Sequence, residues 1–455
     1  MSRLIVVSNR IAPVTEGKSS SGGLVVGVLE ALRETGGVWL GWSGETTAES
    51  TTRPATQRVD NIDFSTIPLT ESDYDRYYRG FSNGVLWPVF HYRIDLSRYD
   101  QEDFRGYLRV NRQFAQTLDS IAQPGDLIWV HDYHLIPLGQ ACREAGLSNR
   151  IGFFLHIPFP GPEVLRCIPP HRELVEAMCA YDLLGFQTQS DVHAFVDYTT
   201  RYLDATATAE GIRLGKRDIK VEAYPIGIHP EQVKALSKKS PRSRTLDALK
   251  SGLQERKLIV SVDRLDYSKG LVERFNAFDC LLEYAPEHRG KVSFVQIAPP
   301  SRQDVQGYRQ IRRQLESAAG HINGRWTELS WTPIRYMNRS YDRQLLMSFF
   351  RASQVGLVTP LRDGMNLVAK EYVAAQPIQS PGVLVLSEFA GAAAELCEGA
   401  VMVNPYDVRA MAEGLDRALR MPLPERKLRH HAMMQVLQKN NLSTWRDRFM
   451  TDLAA

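Results

Sequence analysis

Short apolar runs in this sequence end, one after another, on polar and cationic residues. Asn9 and Arg10 follow residues 4–7; His131, Asp132, Tyr133 and His134 follow residues 126–130; His156 follows residues 151–155. Farther along, Asp263, Arg264 and then Lys269-Gly270 follow residues 258–262. Ser301-Arg302 follows residues 292–298, and Arg362-Asp363-Gly364-Met365-Asn366 follows residues 355–359. Guanidinium and ammonium groups collected in this way suit phosphate oxygens, the arginines bidentately. The chemistry they point to is recognition of an anionic, phosphorylated ligand.

Three stretches add backbone donors to that charge. Gly22-Gly23 ends a loop and opens a helical pattern, where glycine lets the main chain approach an anion and free N–H groups attract it. A tight structural turn is the plainer reading of the same pair. Arg264 and Lys269 bracket Asp266-Tyr267-Ser268, with Gly270 and a helix next. Two cations at a helix mouth suit a diphosphate without a metal, whereas a solvated basic pair is the bland alternative. In residues 362–371 a polar turn runs into a helix. Its N–H groups would face phosphate or sugar oxygens and Glu371 would accept from ribose hydroxyls; Asp363 as a helix cap with Glu371 as surface charge is the other reading. The sequence around Gly22 is not G-x-G-x-x-G, and no Walker A sequence occurs, which argues against a nicotinamide dehydrogenase and a P-loop ATPase.

Other motifs carry less. His131-x-x-His134 lacks the cysteines or carboxylates of a metal site. Asp73-Tyr74-Asp75 matches the short Asp-x-Asp of metal-dependent sugar transferases, but no apolar strand precedes it. Tyr77-Tyr78, Trp87 and His91-Tyr92 would form either a sugar-stacking wall or ordinary core.

The elements that must position these residues are strands at 4–8, 126–131, 151–156, 183–187, 258–263, 292–298, 355–359, 383–387 and 400–404. Several are β-branched runs without polar alternation, as parallel strands buried on both faces require. Helical patterns at 23–34, 270–284 and 361–376 lie between them. Strand and helix in alternation build parallel sheets, with ligands at the carboxyl ends of the strands. Residues 232–254, polar and rich in like charge, mark a boundary near 235, so two doubly wound domains, 1–235 and 236–455, are expected. Residues 38–92 fit neither period and read as a binding loop or lid.

Composition bounds the rest. The 455 residues carry 55 basic and 52 acidic side chains, a net charge of +3, which is not the footprint of a nucleic-acid binder. No apolar run reaches the 18 or so residues a membrane span needs, and residues 1–7 show no cleavable leader. Five scattered cysteines without a CxxC pair favour a reducing compartment, so a cytoplasmic location is expected.

Taken together, Val6-Val7-Ser8-Asn9-Arg10, Ser21-Gly22-Gly23-Leu24, Asn83-Gly84-Val85-Leu86-Trp87-Pro88 and Trp129-Val130-His131-Asp132-Tyr133-His134 carry a resemblance. So do residues 152–160, 262–270 and 360–371. Over essentially its whole length the chain resembles the α,α-trehalose-phosphate synthase family of retaining glycosyltransferases, in its short bacterial form. The resemblance implies a GT-B fold, two Rossmann-like domains facing across a cleft, with the last helix packing back on the N-terminal domain. It implies transfer of glucose from UDP-glucose to glucose 6-phosphate in trehalose biosynthesis, a stress-protective route. Arg10, Tyr78, Asp132 and Arg302 resemble the acceptor contacts. Gly22, Gly23, Arg264, Lys269, Tyr341 and Leu367, Val368, Ala369, Lys370 and Glu371 resemble the donor contacts. Trp87 and His156 resemble the positions that select the anomer, and Asp363 resembles the ligand of a donor-glucose hydroxyl. Arg264, Lys269, Asp363 and His156 would form the catalytic set. The implied chemistry is metal-independent, with no cofactor, no nucleic-acid or membrane partner, and self-association into a dimer or tetramer. A pseudo-glycosyltransferase joining cyclitols and a non-catalytic sugar-phosphate sensor are the competing readings, and the donor nucleotide stays open among UDP, GDP and ADP.

Overall fold

The computed structural model describes residues 3–11, 23–239, 247, 251–253, 255–302 and 306–455. The chain divides into two compact units: Met1–Pro225 with Trp445–Ala455, and Ile226–Thr444.

In the first unit the strands are β1 (Leu4–Arg10), β2 (Gly37–Thr47), β3 (Ala55–Val59), β4 (Ile62–Thr70), β5 (Leu127–His131), β6 (Arg150–Phe154), β7 (Leu183–Phe186), β8 (Thr206–Thr208), β9 (Gly211–Leu214) and β10 (Arg217–Ala223). Among the described residues they form one ten-stranded sheet in the order β3-β4-β2-β1-β5-β6-β7-β10-β9-β8. Pairing is parallel from β4 through β10 and antiparallel at both edges. The apolar runs of β1, β5, β6 and β7 are buried because helices cover both faces of a parallel sheet. From β1 the chain works outward through β2 to β4, then returns to the opposite side of β1 as β5. The strand order therefore reverses between β1 and β5, the place where a crevice opens at the carboxyl ends.

The second unit contains β11 (Lys257–Val262), β12 (Val292–Ile297), β13 (Ile334–Met337), β14 (Val355–Val358), β15 (Val383–Ser387) and β16 (Val401–Val403). They form a six-stranded sheet in the order β13-β12-β11-β14-β15-β16, parallel throughout. Its order reverses between β11 and β14. Gly356 on β14 is obligatory there, since a Cβ would come within 2.6 Å of the Tyr372 ring.

Every strand expected from the apolar runs is present, with its ends moved by a residue or two. Three expectations need correction. Residues 38–92 are not an irregular lid: they contain β2, β3, β4 and a wide π-helix, Tyr74–Leu86. β2 escapes detection because Gly41 breaks its pattern, where a Cβ would press on the Ser8 carbonyl and Ile11 at 2.8 Å. The helix 361–376 is Leu367–Ala375, since Asn366 turns left-handed (φ 74°) and caps it through Ala369 N–H. The unit boundary falls at Pro225/Ile226, not near 235, because the helix Pro230–Lys238 packs on Arg343–Ala352 and Leu367–Ala375 within the second unit.

The C-terminal residues complete the first unit. Phe449 stacks on Trp129 at 4.8 Å, and Gly152 and Gly185 on β6 and β7 make room for its ring. Asp452 accepts from Tyr224 and pairs with Lys220.

Candidate active site

At the β1/β5 reversal in the first unit, five rings and cations stack in sequence. The Arg10 guanidinium lies 5.4 Å from the Trp42 ring, Trp42 packs on Tyr74 at 5.0 Å, Tyr74 on Tyr78 at 5.3 Å, and Tyr78 on His134 at 5.7 Å with the planes 7° apart. Arg10 is exposed and held against Gly44, where any side chain would collide with the guanidinium. The wide helix places consecutive tyrosines differently: Tyr77 is buried and donates to Asn9 Oδ1 at 2.9 Å, while Tyr78 is half-buried on the stack. Such wide turns recur at functional sites because they re-aim side chains an α-helix would place elsewhere.

Asp132 follows β5 with φ 77°, a strained conformation for aspartate. Its Oδ1 accepts from the His156 backbone N–H at 3.2 Å, tying the ends of β5 and β6 together. His131 Nδ1 and His156 Nε2 are 3.1 Å apart. Burial holds both imidazoles neutral: that of His131 well below its ordinary range, that of His156 at about 3. Trp87 is buried against His91, whose Nδ1 bonds the Trp87 carbonyl at 2.7 Å, and against Tyr133. Tyr133 donates to Asn83 Oδ1 at 2.9 Å, and Asn83 donates to the Tyr78 carbonyl at 2.8 Å. The aromatic residues thus divide: Tyr77, Trp87 and His91 are core, and Tyr78 is half-buried within the stack.

At the β11/β14 reversal in the second unit, charge is organised around carboxylates. Lys269 Nζ is 2.5 Å from Asp363 Oδ2, which also accepts from Asn366 at 2.9 Å. Asp266 accepts from the Ser268 backbone and hydroxyl at 3.0 Å and from Tyr308 at 2.9 Å. Burial alone would raise its pKa, but Arg302, Arg264 and Lys269 outweigh that and hold it at about 2. Arg302, with φ 43°, donates to the Tyr308 hydroxyl at 2.5 Å and lies 3.8 Å from Asp266. Beneath this layer Arg274, fully buried, pairs with Asp263 at 2.8 Å and donates to Thr359 and Ser261. Gly270 seats the Lys269 loop on the Thr359 carbonyl, where a Cβ would collide. Asp363 is sewn to the loop after β15 by Asp363 N–H to Phe389 and Gly391 N–H to Asp363, each 3.1 Å.

The expected strand-end residues lie at or just beyond the carboxyl ends of β1, β5, β6, β11, β12 and β14. Asn366 takes Ala369 N–H, leaving the first-turn N–H groups of Leu367 and Val368 at the helix mouth. Glu371 accepts from Arg343 at 2.8 Å, and burial raises its pKa against that pairing. Lys370 departs from its expected donor-facing role: its ammonium is fully buried on the Ile226 carbonyl at 2.8 Å and Glu395 at 2.5 Å. Tyr341 sits against Phe349 and accepts from Arg339 at 2.6 Å. Gly23 opens the helix Gly23–Thr35, and Gly22 lies outside the described residues. Arg302, expected with Arg10, Tyr78 and Asp132, shares Asp266 with Arg264 and Lys269 on the second unit. Asp73 and Asp75 are each tied to an arginine, Arg109 and Arg79, and do not converge. Asn83, Asp266, Tyr308 and Arg343 were given no role of their own: Asn83 and Asp266 stand inside the stretches 83–88 and 262–270 that carry the resemblance, whereas Tyr308 and Arg343 carried no sequence signal.

Among the described residues no three His, Cys, Asp or Glu side chains cluster as metal ligands, and no helix is long and apolar enough to cross a membrane. The model of glycosyltransferase family 20 matches residues 2–455. The trehalose-6-phosphate synthase of Cronobacter sakazakii is 54% identical over 455 residues, covering 100% of this chain and 95% of that one. An α,α-trehalose-phosphate synthase (UDP-forming) from Burkholderia xenovorans, solved in complex with glucose-6-phosphate, is 56% identical with a TM-score of 0.95 over 100% of both chains. A chain from E. coli bound with UDP-2-fluoro glucose is 51% identical with a TM-score of 0.95, covering 100% of this chain and 99% of that one. With both sheets, both strand-order reversals and a full-length match in place, the chain belongs to glycosyltransferase family 20.

Proposed function

We propose that this chain transfers glucose from UDP-glucose to glucose 6-phosphate, releasing UDP and forming α,α-trehalose 6-phosphate. The observation that carries this is the full-length likeness, above half identity, to chains solved with glucose-6-phosphate and with UDP-2-fluoro glucose. The two reversal points supply what such ligands need. Arg264, Lys269 and the N–H groups of Leu367 and Val368 suit a diphosphate, and Glu371 suits a ribose. Arg10, Tyr78 and Asp132 suit a sugar phosphate, and the Arg302 guanidinium is of a kind that suits phosphate oxygens.

Three carboxylates at the β11/β14 reversal are already committed: Asp363 to Lys269 and Asn366, Asp266 to Tyr308 and Ser268, Asp263 to Arg274. That is the pattern of a fixed electrostatic frame, not of the nucleophile and acid/base pair of a retaining hydrolase. Charge growing on the departing diphosphate is met by Arg264 and Lys269 without a metal, and preorganised charge of this kind commonly contributes more to catalysis than any other effect. The acceptor hydroxyl attacks from the leaving group's face, its proton passing to the diphosphate oxygen, so configuration is retained. The protein's part is positioning.

The test is nucleoside diphosphate release from UDP-, GDP- and ADP-glucose, with and without glucose 6-phosphate. UDP release that requires the acceptor is expected. Release without acceptor would mean a hydrolase and overturn the reading.

A further inference from the structure

We propose that His131 is a positioning residue that holds His156 in the tautomer protonated at Nδ1, so that His156 offers an N–H donor to an oxygen of the donor sugar. The proposal rests on the reading of His156 as a donor-sugar contact.

His131 Nδ1 and His156 Nε2 share one proton across 3.1 Å. Which ring gives it is decided at the far nitrogen of His131. That atom, Nε2, is completely buried and has no hydrogen-bond partner. The His131 ring packs, centroid to centroid, on Trp129 at 4.5 Å, Trp445 at 6.4 Å and Phe154 at 6.4 Å, and none of these side chains carries an acceptor. The indole N–H groups of Trp129 and Trp445 are themselves buried without acceptors. A proton on His131 Nε2 would add a third orphaned donor to this apolar pocket. A bare lone pair leaves one acceptor unmet beside indoles that can only donate, whereas a proton there would have nothing to donate to. Protonating both nitrogens is opposed by burial, which keeps both rings neutral.

The proton of His131 therefore sits on Nδ1 and is donated to His156 Nε2. A neutral His156 that accepts at Nε2 must carry its own proton on Nδ1. That nitrogen has no protein partner among the described residues, and the ring is half-buried beside Phe154. The His156 main chain is pinned by Asp132. Backbone and ring are both fixed, and one N–H is left for a ligand. The sequence His131-Asp132 thus orients His156 twice, once through each residue.

The decisive measurement is the long-range ¹H–¹⁵N spectrum of the wild-type enzyme labelled with ¹⁵N-histidine. Two coupled neutral rings, both protonated at Nδ1, are expected; a His156 protonated at Nε2 overturns the proposal. Kinetics give the functional half. His131→Phe removes the donor, whereas His131→Asn keeps an N–H near the Nδ1 position. The Phe variant is expected to lose about tenfold in kcat/KM for UDP-glucose, with KM for glucose 6-phosphate within about twofold, and the Asn variant to recover most of the loss. Deoxy analogues of UDP-glucose locate the contact: one of them should lose as much with wild type as UDP-glucose loses with the Phe variant, and lose nothing more when the two changes are combined. Equal loss on every analogue, or equal loss for both substrates, makes His131 merely structural and overturns the proposal. If wild type makes no UDP from any donor and acceptor pair, the proposed function fails, while the spectrum still decides the tautomer.

Discussion

Lys370 offers the sharpest test of the structural reasoning, because it was expected to face the donor and instead lies sealed inside the second unit. Its ammonium is 0% exposed, and Glu395, which it touches at 2.5 Å, is 9% exposed. Lys370→Met keeps the length of the side chain and removes the charge. Glu395 then retains only Asn440, which donates at 2.8 Å, and the Ile226 carbonyl loses its partner. Breaking a buried pair from one side costs about 3–5 kcal/mol. Adding Glu395→Gln leaves a neutral amide bonded to Asn440, and should recover most of the loss at pH 7. The assay is urea unfolding of wild type, Lys370→Met and the Lys370→Met/Glu395→Gln double variant at pH 7, followed by tryptophan fluorescence. A Lys370→Met cost below about 1 kcal/mol at pH 7, or one that Glu395→Gln does not relieve, would refute the burial of this pair.

Other outcomes follow from the same contacts. Arg264→Ala should lower kcat by about two orders of magnitude or more with an unchanged circular dichroism spectrum, since it removes a charge that meets the leaving diphosphate; near-normal kcat would sink that role. Arg302→Ala should raise KM for glucose 6-phosphate well beyond that for UDP-glucose, and equal effects would assign Arg302 to the Asp266 cluster alone. Asp266 is held at about 2 against an ordinary 3.8, so its contribution of about 2 kcal/mol is present above pH 4 and lost as pH falls from 3.8 towards 2. Asp266→Asn should therefore be less stable than wild type at neutral pH and converge with it in acid, as urea titrations would read. Gly356→Ala should cost about 1–3 kcal/mol, read as a lower Tm, because its Cβ meets the Tyr372 ring.

What was legible in the sequence was whatever a single period or a single strand end encodes. Parallel strands buried on both faces announce themselves as β-branched runs, and the ligand-facing residues are simply the next ones along. Residues 38–92 resisted for two physical reasons. Gly41 interrupts β2 where its neighbour comes too close for a side chain, and the helix Tyr74–Leu86 winds with a period that matches neither a strand nor an α-helix. Lys370 misled because one residue separates it from Val368 at a helix mouth, while its side chain points inward. Tyr308 and Arg343 were silent: each lies in a helix, far along the chain from Asp266 and Glu371. Long-range pairing leaves no local mark.

Those silent partners explain how a site rich in arginine and lysine holds its shape before a ligand arrives. Like charges in one crevice repel, and flexible cations would lose binding energy to being ordered. Here Asp266 and Tyr308 fix Arg302, and Asp363 fixes Lys269, so the positive field is assembled in advance. Asp363 shows how few groups this takes. Its own position is set by backbone bonds to the loop after β15, and Asn366, which bonds the same carboxylate, also caps the helix whose mouth Leu367 and Val368 line. One carboxylate thereby couples a cation, a helix N-terminus and a second loop. Asp363→Asn should then disturb both the Lys269 position and the helix cap, lowering kcat and raising KM for UDP-glucose together. An effect on KM alone would mean that Asp363 binds donor without organising the frame.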